Sequence, residues 1–76
     1  MKEVIEVLNG VKKGVDYEKE EHLVTDGILS SFDIIMLISA LKEKFEVDIT
    51  VMDIVPENFE SAKTIKEFID SLEWNI

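Results

Sequence analysis

Asp26-Gly27-Ile28-Leu29-Ser30-Ser31-Phe32-Asp33 reads as a turn, a pair of serines and the opening of a helix. Gly27 permits backbone angles that other residues resist. Ser30 is a favoured N-cap, because its hydroxyl can accept a bond from a free N–H of the first turn. Ser31 then falls at or just inside the helix start. That position is exposed, lined with unpaired N–H donors and lies at the positive end of the helix dipole. An anionic group attached there is favoured.

The helix that follows carries more apolar surface than one core face needs. With residues spaced about 100° apart, Ile34, Leu37, Ile38, Leu41 and Phe45 form one stripe, which is the expected core face. Phe32, Ile35 and Met36 fall on the far side, with Ser39 among them. Either neighbouring loops cover this second stripe, or it is a face on which a partner docks beside Ser31.

Upstream, Met1, Val4, Ile5, Leu8 and Val11 recur at helical spacing and predict a first helix from about Lys2 to Lys13. Gly10 weakens it, Lys12 and Lys13 suit its last turn, and Gly14 suits its stop. Residues 15–29 form a long acidic connection, which Val15, Tyr17, Leu23, Val24, Ile28 and Leu29 can pin to the body. His22 reads as a solvated loop residue. Downstream, residues 46–50 alternate polar and apolar but have no pairing partner, so an extended loop is expected. Asp53-Ile54-Val55 predicts a helical turn ending before Pro56. Pro56 to Phe59 predicts another tight turn anchored by Phe59. Ser61 is a good cap for a last helix whose buried face is Ile65, Phe68, Ile69 and Leu72, with Trp74 closing one end of the bundle.

Composition narrows the classes. Seventy-six residues make a single domain, 1–76, with a core too small for a deep active site. Eight lysines, no arginine and 17 acidic residues give a net charge of −9, which disfavours nucleic acid and anionic membranes and suits partners with basic patches. The absence of cysteine excludes disulfides and thiolate metal sites and fits a reducing cytoplasm. No leader or membrane-spanning run is read, so a cytoplasmic monomer without membrane insertion is expected.

Enzymatic readings fare poorly. A nucleophilic serine needs a neighbouring base, and His22 is nine positions before Ser31, with no oxyanion-hole motif. Glu46, Asp48 and Asp53 lack the alternating ligands and central glycine of a calcium loop.

The residues 26–33 resemble the phosphopantetheine attachment motif of the acyl carrier and peptidyl carrier proteins. Ser31 matches the family's modified serine and Phe32 the apolar residue after it, while Ser30 stands where the family usually has Asp. Leu41-Lys42-Glu43-Lys44-Phe45-Glu46-Val47-Asp48-Ile49 is similar to the family's end of the second helix and following loop. The resemblance implies an all-α four-helix bundle of the acyl-carrier type: three main helices, a short third helix and a long first loop. It implies a covalent phosphopantetheine on Ser31 carrying an acyl or aminoacyl cargo as a thioester, with no catalysis by the chain itself. The implied partners are a phosphopantetheinyl transferase, a loading ligase and downstream acyl-transfer enzymes. The expected docking residues are Phe32, Asp33, Ile35, Met36 and Ser39, with Ile54 from the later loop. The outer face is greasier than in fatty-acid carriers, and the segments flanking the second helix look more like D-alanyl and peptidyl carriers. The competing expectation is an unmodified, acidic helical interaction module that has no use for Ser31.

Overall fold

The computed structural model describes residues 2–74. Its helices are α1 (Lys2–Val11), α2 (Ser31–Phe45), α3 (Pro56–Phe59) and α4 (Ala62–Trp74), with a 3-10 turn at Val51–Asp53. The described residues contain no strand, and residues 46–50 are the loop that their sequence suggests. Helix α1 packs against both α2 and α4, and α3 packs against α4. The core face of each helix follows the apolar spacing. Val4 and Leu8 of α1, Leu37 and Leu41 of α2, and Ile65, Phe68 and Ile69 of α4 are buried together. Ile34, Ile38, Phe45 and Leu72 pack at the edge of the same core. Met1 and the Trp74 side chain lie outside the described residues.

Helix α1 ends at Val11, two residues before the expected Lys13. The Lys12 N–H still bonds the Leu8 carbonyl at 2.8 Å, and the expected stop at Gly14 is in place. Gly14 sits at φ 86, a left-handed angle that ends a helix cheaply only at glycine. The two functional groups of Lys12 are also engaged elsewhere. Its carbonyl accepts the Tyr17 hydroxyl, and its ammonium donates to the Ile28 carbonyl at 2.6 Å. Lys12 therefore ties the helix end to the long loop and does not neutralise a last turn.

Gly10 stays within α1, and a Cβ added there meets nothing within 4 Å. Gly10→Ala should therefore stabilise the protein by about 0.5–1 kcal/mol, since alanine loses less backbone entropy in a helix. Chemical denaturation checks this; an unchanged midpoint would place Gly10 in a frayed end.

The second half departs from expectation in detail. The helical turn lies at Val51–Asp53, earlier than Asp53-Ile54-Val55. Asp53 fixes it, because its carboxylate accepts the Thr50 N–H and hydroxyl, each at 3.1 Å. The tight turn expected over Pro56 to Phe59 is a one-turn helix, with Pro56 in the first position where its missing N–H costs nothing. Phe59 is buried and meets Phe68 edge-on, with ring centroids 5.7 Å apart. Ser61 caps α4 as expected: its hydroxyl accepts the Thr64 N–H at 3.1 Å.

Candidate functional site

The chain arrives at α2 through a closed loop. The Asp26 N–H donates to the His22 carbonyl at 2.9 Å and the Gly27 N–H to the Val24 carbonyl at 3.0 Å. Gly27 then turns at φ 71, an angle that favours glycine. The Leu29 N–H reaches back to the Leu23 carbonyl at 2.9 Å, and both leucines are buried. The loop is thus plugged into the core at two points just before the serines.

Ser30 is extended and forms a reciprocal cap with Asp33. The Asp33 N–H donates to the Ser30 hydroxyl at 3.1 Å, and the Ser30 N–H donates to the Asp33 carboxylate at 3.0 Å. These bonds to Ser30, its backbone N–H first, hold the Asp33 carboxyl below its usual pKa, and the nearby charge of Lys12 adds to the effect. Ser31 is the first residue of α2 and is exposed. The two serines therefore differ in situation. One hydroxyl is committed to the helix cap, and the next side chain faces solvent at the helix start. Tyr17 lies close enough to Asp33 to feel its charge; burial chiefly, and that charge second, raise its pKa.

The outward residues of α2 are partly as expected. Phe32 and Ile35 are 68% and 64% exposed, which is high for large apolar side chains. Ser39 is exposed too. Ile35 and Ser39 line one shallow groove with Ile38, Lys42, Glu43 and Val47. Met36 is half-buried, more covered than Phe32 and Ile35 on the same side of the helix. Asp33 is likewise half-buried and engaged in the cap. Ile54 is 43% exposed between the 3-10 turn and α3. Val51 and Met52, at 83% and 86%, are more exposed than Ile54 and were not singled out by the sequence. Their signal was the apolar run around Asp53, which periodicity alone leaves unplaced.

Glu60 also carries no sequence signal for its role. Glu60, between α3 and α4, accepts the Val24 and Thr25 N–H groups on one carboxylate oxygen at 2.9 and 3.0 Å, and the Thr25 hydroxyl on the other. These bonds, the Thr25 hydroxyl first, hold the Glu60 carboxyl below its ordinary pKa. A depressed folded-state pKa means that the unfolded chain binds more protons in the acid range. This contribution is thus complete above the unfolded carboxylate pKa of about 4.3 and is lost as pH falls through the lower folded value. Glu60→Gln should flatten the fall of stability below about pH 5, read by denaturation at a series of pH values. An acid limb as steep as that of the parent chain would show that Glu60 contributes nothing to it.

His22 is exposed, and no hydrogen bond joins it to Ser31 among the described residues. Nor do the described residues bring together three or more metal-ligating side chains of His, Cys, Asp or Glu. No described helix is long and apolar enough to cross a membrane. No family model, curated protein or solved structure matches the chain.

Proposed function

We propose that this chain is a carrier protein of the acyl-carrier type, bearing a phosphopantetheine arm on Ser31. The observation that carries the reading is the division of labour between the serines. Ser30 holds the cap with Asp33, while Ser31 stands exposed at the first position of α2 beside exposed Phe32 and Ile35. A phosphodiester on Ser31 would add negative charge where first-turn N–H groups lack helical partners and the helix dipole is positive. When bound, the arm supplies the thiol on which an acyl or aminoacyl group is held. The chain's own part is to position that arm and to dock enzymes. Phe32, Ile35, Met36 and Ser39 supply the docking face on α2, with Asp33 at its start and Ile54 on the later loop. The greasier outer face favours an aminoacyl or specialised acyl cargo over the fatty-acid pathway.

In this reading the partners are a phosphopantetheinyl transferase, a loading ligase and acyl-transfer enzymes, all met in the cytoplasm. The test is intact mass after incubation with a broad-specificity transferase and coenzyme A. One added phosphopantetheine is the expected result. No gain with any transferase would favour the second reading, an unmodified interaction module. The exposed Phe32, Ile35, Val51 and Met52 would serve that reading equally well.

A further inference from the structure

The segment between α1 and α2 is long, lacks a helix of its own and is nonetheless fastened. Its latter part, residues 22–29, is held in two ways. Internally, Asp26 bonds to His22, Gly27 to Val24 and Leu29 to Leu23. Externally, the Lys12 ammonium donates to the Ile28 carbonyl at 2.6 Å, and the other ties run to one residue. Glu60 takes the Leu23 N–H on its backbone carbonyl at 2.8 Å. Its carboxylate takes the Val24 and Thr25 N–H groups and the Thr25 hydroxyl. Three successive residues of the loop are therefore gripped by one side chain and its carbonyl, across 35 positions of sequence or more. Between them, Leu23 and Leu29 reach into the core and are 0% and 3% exposed.

We propose that residues 22–29 are a latched strap, a unit that opens and closes as a whole, with the Glu60 carboxylate as its latch. The internal bonds make the strap cooperative, because freeing Leu23 also frees the carbonyl that holds the Leu29 N–H. The anchoring is concentrated: loss of the Glu60 side chain removes three ties at once without touching the helix ladders of α2 and α4, and leaves the Leu23 bond to the Glu60 carbonyl and the Lys12 bond to Ile28. Opening withdraws both leucines from the core. It also loosens the residue directly before Ser30, so the latch governs how firmly the chain is set at the start of α2. The proposal does not depend on any modification of Ser31.

Hydrogen exchange on the full chain, resolved by residue, tests it. In Glu60→Ala, the amides of Leu23, Gly27 and Leu29 should exchange about tenfold faster or more, together with Val24 and Thr25. The amides of Leu37, Leu41, Ile65 and Ile69 should keep their protection. Glu60→Gln, which retains an acceptor oxygen, should give a smaller acceleration of the same set. Acceleration confined to Val24 and Thr25, whose bonds are removed directly, would overturn the proposal, since no unit would then be opening. Equal acceleration of every amide in Glu60→Ala would send the decision to Glu60→Gln. There too, a uniform change across strap and helices would overturn it, and a change limited to residues 23–29 would uphold it.

Discussion

Ser31→Ala should abolish attachment of phosphopantetheine and leave stability within about 0.5 kcal/mol, whereas Ser30→Ala should do the reverse. The two side chains are adjacent in sequence but belong to different physical systems. Ser30 accepts the Asp33 N–H, and its own N–H is held by the Asp33 carboxylate, so it is part of the helix end. Removing that hydroxyl leaves a first-turn N–H without its acceptor and should cost about 0.5–2 kcal/mol. It leaves the Ser31 hydroxyl in place, so one arm should still be added, at a reduced rate if the start of α2 frays. Ser31 is exposed at the first helical position, where alanine is well tolerated and no cap is lost. Intact mass after incubation with transferase and coenzyme A, together with thermal unfolding, reads both variants. A mass gain that persists in Ser31→Ala and vanishes in Ser30→Ala would transfer the modification to the neighbouring serine. Loss of stability in Ser31→Ala comparable to that in Ser30→Ala would mean that both hydroxyls hold the helix end.

What the sequence made legible was local or periodic. The cores of α2 and α4 follow from spacing alone, and Leu37, Leu41, Ile65 and Ile69 are buried where that spacing puts them. The caps at Ser30 and Ser61 were equally readable, because each partner lies three residues away. The long loop's apolar anchors were legible by type, since Tyr17, Leu23 and Leu29 in an acidic stretch have little reason to face water. Interactions across the fold were not legible. Nothing around Glu60 distinguishes it from the chain's other carboxylates, and its role depends on a loop 35 residues earlier arriving beside it. The engagement of Lys12 is hidden for the same reason, because its ammonium and carbonyl bond Ile28 and Tyr17 of the loop, contacts that helix-end rules do not contain. Met36 shows the limit of angular spacing. A residue can lie opposite the core stripe and still be half-covered, and only the packing decides.

Leu37→Ala should destabilise the protein by about 2–5 kcal/mol, while Ile35→Glu should shift stability by no more than about 0.5 kcal/mol. The two positions are two residues apart on α2 and fall on different faces. Leu37 is fully buried in the cluster shared with Leu8 and Ile65, so truncation removes apolar contacts and leaves a cavity. Ile35 is 64% exposed, so a carboxylate there stays in water and disturbs little. Met36→Glu should fall between them, because half of that side chain would have to be withdrawn or solvated. Docking should rank the variants differently. A partner that covers Phe32 and Ile35 would have to bury the new charge of Ile35→Glu in an apolar contact. On phosphopantetheine-bearing protein, a ligase that charges the parent chain should therefore load Ile35→Glu at least about tenfold more slowly, since about 1.4 kcal/mol of lost contact gives that factor. Leu37→Ala, assayed well below its melting temperature, should load far better than its stability loss alone would suggest. The arm is present in every variant, so a slower rate reports docking and not a missing thiol. If Ile35→Glu loads at the parental rate while folding normally, the outward face of α2 is not the ligase's landing place. If Ile35→Glu unfolds as readily as Leu37→Ala, the second apolar stripe belongs to the core and α2 has no free face to offer.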